Sequence, residues 1–223
     1  MAQANIDVLT IGNAIVDVIA RVDDAFVEKN GLVKGSMNLI DEARAEDLYN
    51  SMGPAIEISG GSAGNTAAGV ASFGGKAAYF GKVKADQLGG IFRHDMRAQG
   101  VQFDSVAATS GPATARSFIL VTPEGERTMN TYLGACVHLN ESDVDENIVS
   151  AAKVTYMEGY LWDKQEAKQA FKLAAKTARK AGKLTSITLS DSFCVERHRE
   201  SFLDLIKNDI DIVFANETEI KSL

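Results

Sequence analysis

The sequence predicts an α/β protein: a mostly parallel sheet flanked by helices, with a small β-sheet lid beside it. Three observations carry that expectation. Short apolar runs alternate with helical patterns along most of the chain, as parallel strands joined by crossover helices require. One hairpin signal, 117–122 and 127–132 around Pro123-Glu124-Gly125-Glu126, breaks that rhythm and projects as a flap. Finally, Gly60-Gly61-Ser62-Ala63-Gly64-Asn65-Thr66 places a glycine turn directly before a small-residue helix, where free N–H groups face a ligand.

The elements follow in order. DVLTIG at 7–12 is a buried strand. Residues 16–22 and 36–40 supply strands to the same small sheet as the hairpin. Behind the glycine turn, 66–73 reads as a helix and AAYFGKV at 77–83 as the next strand; 88–99 is a helix stopped by Gly100. Residues 154–157 form a strand and 164–181 the clearest helix, with Ala167, Ala170, Phe171, Ala174, Ala175 and Ala178 on one face. Gly182 ends it, and Arg179 and Lys180 complement its dipole. Strands at 184–189 and 210–214, with a helix over 195–207 between them, complete the pattern.

The bulk numbers narrow the function. The chain has 223 residues, 45% hydrophobic and 24% charged, with a mean hydropathy of -0.07, a composition suited to one large domain. A net charge of -7 and the lack of a basic run argue against nucleic acid. The lysines and arginines of 172–183 are a solvated helix face. Asp7, Asn13 and Asp17 interrupt the apolar start with no basic region ahead of it, which argues against a signal peptide or membrane span. Two cysteines and three histidines, without metal-ligand spacing, fit a reducing cytoplasm and no structural zinc.

Neither Walker A nor the dinucleotide fingerprint occurs, so the glycine turn needs another ligand or none. A close-packed strand-to-helix connection explains it equally well in isolation. Asn13 and Asp17 lie at the end of the first strand, where ligands of α/β sheets gather. A carboxylate there accepts two hydroxyl hydrogen bonds, which suits a vicinal diol. Asn216-Glu217-Thr218-Glu219 follows the last strand. It reads either as an ordinary helix start or as a holder of hydrated magnesium near phosphates.

Together these features resemble the ribokinase-like (PfkB) family of sugar and nucleoside kinases. The resemblance rests on GNAIVD (12–17), GGSAGNTA with Phe73-Gly74 behind it, LGACVHL (133–139) and ANETE (215–219). Tyr156-Met157-Glu158-Gly159-Tyr160-Leu161 with Leu189-Ser190-Asp191-Ser192-Phe193 looks most like the bacterial adenosine-kinase-like branch. The likeness implies a ribokinase-like α/β core under a β lid, with lid segments near 13–22, 36–40 and 103–135. Asp17 would grip ribose hydroxyls beside Asn13; Gly60, Gly61, Asn65 and Glu158 would line the same pocket. Asn216 and Glu219 match the NxxE pair that orders Mg2+ and its waters around ATP.

The implied activity is ATP-dependent phosphorylation of the hydroxymethyl group of a ribosyl compound, adenosine first. A ribokinase- or fructokinase-type sugar kinase and a non-catalytic binding protein are the alternatives. A small-molecule nucleoside or sugar is the implied partner, with no nucleic acid or membrane, and a homodimer is compatible with the likeness. Two departures stand out: Lys84-Ala85-Asp86 where a Gly-Asp stretch is usual, which puts a tight turn in question, and Thr114-Ala115-Arg116 where Thr-Gly is common. The family's catalytic Asp, in a Gly-Ala-Gly-Asp loop, is expected beyond Leu223. Residues 1–223 therefore read as the N-terminal and central part of one domain, the acceptor-binding half, inactive by itself and with an uncovered sheet edge after Phe214.

Overall fold

Among residues 6–223, which this computed structural model describes, strands and helices run in the following order. The first half contains β1 (Ile6–Ile11), β2 (Ile15–Arg21), α1 (Asp24–Lys29), β3 (Met37–Leu39), α2 (Glu42–Ser51), β4 (Ile56–Gly60), α3 (Ser62–Ser72), β5 (Ala77–Phe80) and α4 (Gln87–Ala98). The second contains β6 (Ala115–Val121), β7 (Arg127–Tyr132), α5 (Glu146–Ala151), β8 (Ala152–Glu158), α6 (Gln165–Lys180), β9 (Leu184–Thr188), α7 (Ser192–Asp209), β10 (Ile212–Phe214) and α8 (Glu217–Ser222).

The strands form two sheets of different character. The main sheet, ordered β10-β9-β8-β1-β5, is parallel throughout. The second, ordered β3-β7-β6-β2-β4, is mixed. Its β6–β7 hairpin and its β2–β4 pair are antiparallel, whereas β2–β6 and β3–β7 are parallel. This is the α/β core with a separate β layer that the sequence predicts, and 16–22, 36–40 and the hairpin all join that layer.

Two cores hold the layers. α5, α6 and α7 pack on one face of the main sheet around Leu9, Ile11, Met157, Trp162, Phe171 and Phe202. The six apolar residues expected on one face of α6 are all buried there. The second core lies between α3, α4, α2 and the inner face of the lid, and includes Val16, Val18, Leu48 and Phe118. At its centre Tyr79, Phe92 and Phe103 meet with ring centroids 5.3–5.7 Å apart, in the tilted geometries aromatic pairs prefer.

The structure departs from the sequence reading in three places. β4 and the helices α1, α2 and α5 went unread, because Ile56-Glu57-Ile58-Ser59 runs straight into the glycines and the three helices are short. α3 begins at Ser62 rather than Thr66: Gly61 takes φ +80 as its N-cap, so the segment read as a loop is mostly first helical turn. Lys84 has no tight turn to make. It lies in extended pairing with Ala108, and its N–H donates to Thr114 Oγ1 at 3.0 Å. The change of direction falls to Asp86, which caps α4 through Gly89 N–H at 2.8 Å and accepts from Thr114 N and Oγ1.

In the second departure from the family pattern, Thr114-Ala115-Arg116, Ala115 is fully buried and Arg116 lies on the helix-covered side of the lid. Its guanidinium pairs with Glu46 and lies over the rings of Phe118 and Tyr132. At the other end, the face of β9–β10 carrying Leu184, Ile212 and Phe214 is open, with Phe214 52% exposed. Among the described residues no helix is long and apolar enough to cross a membrane. Cys136 and Cys194 are both buried and unlinked.

Candidate functional site

The chain passes between the two sheets twice within a few ångströms. It leaves the carboxyl end of β1 through Gly12, Asn13 and Ala14 to enter β2, and it returns from β4 through Gly60 and Gly61 into α3. The crossings are adjacent because Ile15 pairs with Gly60. They also touch: a Cβ on Gly61 would stand 2.3 Å from the carbonyl oxygen of Asn13. Only glycine fits that approach, and its positive φ is one that other residues rarely adopt.

Asp17 lies on β2, above this junction. A Cβ on Gly60 would meet its carboxylate at 2.3–2.6 Å, so the missing side chain makes the space that the carboxylate occupies. Cross-strand pairing puts Ile58, Ser117, Thr131 and Leu39 on the same face, with Ile19, Ile56, Ile119, Met129 and Met37 one pair further along. Ile56, Ile58, Met37 and Leu39 are exposed. This apolar surroundings desolvates Asp17, and burial pushes its carboxyl up to about 6. No protein group among the described residues donates a hydrogen bond to it, although the layer around it is well bonded, Ser117 Oγ lying 2.8 Å from Thr131 Oγ1.

Glu158 ends β8, next to β1 in the main sheet. Only 1% of it is exposed. Its Oε1 accepts from Asn13 Nδ2 at 2.9 Å and from Asn13 N at 3.4 Å, while Oε2 accepts from Ala63 N at 2.8 Å. Burial pushes this carboxyl up to about 7 against the opposing pull of those three donors. A Cβ on Gly12 would collide with both Glu158 Oε2 and Ala63 Cβ. Beside them Tyr79 Oη donates to Gly12 O at 2.9 Å, and Thr10 Oγ1 to Ala63 O at 3.0 Å.

Five of the six residues read from the sequence as an acceptor pocket, Asn13, Asp17, Gly60, Gly61 and Glu158, thus meet at one junction. They are not equivalent. Asp17 is partly exposed and has no protein donor among the described residues, whereas Glu158 is buried among protein donors. Asn13 is 2% exposed, with Nδ2 committed to Glu158 and Oδ1 lacking any partner. Asn65 is joined only through its backbone, its N–H donating to Gly61 O at 2.8 Å, while its side chain is exposed in the first turn of α3.

Asn216 and Glu219 follow β10, three strands from β1 and about 14 Å away at ordinary strand spacing. They form a reciprocal capping box at the start of α8. Asn216 Oδ1 accepts from Glu219 N at 2.8 Å, and the Glu219 carboxylate accepts from Asn216 N at 3.1 Å and from Nδ2 at 2.7 Å. Each side-chain oxygen of the pair accepts one protein hydrogen bond. Among the described residues no group of three acidic, cysteine or histidine side chains is placed to hold a metal.

The sequence reading missed two exposed aromatics at this edge. Tyr160 lies just past β8, 37% exposed, with its hydroxyl donating to Ser190 O at 3.2 Å. Phe193, in the first turn of α7, is 71% exposed. Their position two residues beyond Glu158 and Asp191 was the available signal.

Residues 42–223 match the pfkB family carbohydrate kinase profile. The chain belongs to the pfkB family. Its fold is similar to that of adenosine kinase from Sinorhizobium meliloti, with 62% identity and a TM-score of 0.88 over 98% of this chain and 67% of that one. A probable sugar kinase from Rhizobium etli CFN 42 is similar at 60% identity and a TM-score of 0.89, over 98% and 66% respectively. Probable fructokinase-6, chloroplastic, of Arabidopsis thaliana is 30% identical over 167 residues, 72% of this chain and 43% of the relative. The chain spans about half the length of the curated relatives it matches.

Proposed function

We propose that this chain supplies the acceptor site of an ATP-dependent kinase that phosphorylates the hydroxymethyl group of a ribosyl compound, with adenosine as the leading acceptor. The observation that carries this reading is Asp17: a desolvated carboxylate, free of protein donors, seated over Gly60 at a junction between two layers. Two lone-pair-rich oxygens in apolar surroundings are suited to the two hydroxyls of a ribose. Asn13 Oδ1 adds a further unpartnered acceptor beside them.

The choice of a nucleoside over a free sugar is supported by the apolar lid face and by Tyr160 and Phe193, which offer stacking surface to a planar base. A free-sugar acceptor is the second reading, favoured by the fructokinase likeness. ATP is the donor the family implies, with Mg2+ as its counter-ion. Asn216 and Glu219 would act on that ion through the waters magnesium retains. Removal of the hydroxyl proton is assigned to none of the residues described here. A reducing cytoplasm suits the free thiols.

The test is a panel of nucleosides and free sugars with ATP and Mg2+, run on the longest natural form of the protein. The expected result is fastest phosphorylation of adenosine. Preference for fructose or ribose would move the assignment to the second reading, and transfer to no acceptor would leave a binding protein. Calorimetric titration of the 223-residue chain with adenosine and ribose then reads the pocket without chemistry.

A further inference from the structure

Glu158 is placed differently from what its likeness to substrate-contacting acids implies. We propose that Glu158 is a positioning residue whose carboxylate, without touching the acceptor, fixes the carboxamide of Asn13 and the first turn of α3 in their binding geometry. An ionised carboxylate only accepts hydrogen bonds. It therefore obliges Asn13 to turn its Nδ2 toward the carboxylate, which fixes the position of Oδ1, itself buried and unpartnered. The second oxygen holds Ala63 N–H, one of the free donors in the first turn of α3. One side chain thereby ties both chain crossings together.

A neutral carboxyl cannot do the same. Three N–H donors face the two oxygens, and the nearby carbonyls of Gly12 and Ala63 already accept from Tyr79 and Thr10. A proton on Oε2 would oppose the Ala63 N–H, and one on Oε1 would let the Asn13 amide flip. Burial nevertheless brings this carboxyl up to about 7, so both forms are populated near neutrality. The titratable groups facing it from each neighbouring element are Tyr79 of β5, Cys136 of the turn after β7, Tyr156 of β8, and Tyr160 and Cys194 beyond it. All are raised by burial first and stay neutral through that range. Among the described residues no lysine, arginine or histidine contributes to holding the charge.

The brace is measured on the 223-residue chain by following the Ala63 backbone amide and the Asn13 side-chain amide by NMR across neutral pH. Both should shift together with one midpoint near the value given above, and both should be flat in Glu158→Gln. Adenosine affinity in the wild type should fall about tenfold between about pH 8 and about pH 6, the loss of about one hydrogen bond. In Glu158→Gln the remaining pH response should follow Asp17 alone. The link to binding rests on the function proposed above, but the amide titration does not. Failure of every nucleoside and sugar to bind the wild type would overturn that function, while the amide shifts would still decide the brace. Amides that stay flat in the wild type, or a Glu158→Gln chain that binds with wild-type affinity and pH response, would overturn the proposal.

Discussion

Asp17 and Glu158 are two carboxylates on opposite sides of the same glycine junction, and both are driven toward the neutral form by burial. Above the junction, Asp17 has no protein donor among the described residues and is partly exposed. Below it, Glu158 has three donors and almost no exposure. A raised carboxyl is thus not by itself the sign of a ligand contact. Its unspent hydrogen-bonding capacity is what separates a group reserved for a ligand from one that supports the pocket wall.

The largest test of this contrast removes the junction both groups depend on. Gly61→Ala adds a Cβ at φ +80 against Asn13 O. Strain and overpacking together should cost about 4 kcal/mol, read as a fall in the chemical-denaturation midpoint, and unchanged stability would show that the two crossings are not in firm contact.

The next test is stability against pH. Both carboxyls have folded values above their unfolded ones, so their contribution to stability is full below about pH 4 and is lost as pH rises through about 6 for Asp17 and about 7 for Glu158. For Glu158 the loss is about 3 kcal/mol. Denaturation of Glu158→Gln between pH 4 and pH 8 should therefore show a decline smaller by about that amount, whereas parallel curves would mean that Glu158 titrates normally.

Asp17→Ala should separate the two carboxylates by function. Acceptor affinity is expected to fall about a hundredfold, or about 3 kcal/mol, from the loss of charged hydrogen bonds, with stability near neutral pH kept or raised, because no protein group among the described residues donates to Asp17 and its burial disfavours the charge. Near-normal binding would remove it from the site. The smallest effect is expected at Glu219→Gln, which disturbs the capping box and should cost about 1 kcal/mol. A magnesium titration of activity distinguishes that purely structural effect from a role in ordering the ion's waters, since only the latter raises the magnesium requirement.

Most of the architecture was legible because strand and helix periodicities are strong over 77–121 and 152–189, and because a Pro-Glu-Gly turn marks the hairpin. β4 was not legible, since its partner is β2, dozens of residues earlier, and Ile56 and Ile58 are exposed apolar residues that give no core signal. The start of α3 was misplaced because glycine suggests a loop, whereas here Gly61 ends the loop and Gly64 is inside the helix. At the site, residue identities were readable and their partners were not. Nothing in the sequence distinguishes Asp17, which is free, from Glu158, which is engaged across 145 positions by Asn13. The same holds for Asn216 and Glu219, whose spacing serves a capping box and a metal site equally well.

The room available at the junction also limits how such a pocket can change over evolutionary time. At Gly12, Gly60 and Gly61 any added carbon meets Glu158, Asp17 or the Asn13 backbone, so drift there is close to forbidden. Met37, Leu39, Ile56 and Ile58, on the exposed lid face, carry no such restriction. New ligand preferences are therefore expected to arise by exchange of side chains on that ceiling, leaving the floor of the candidate site as inherited.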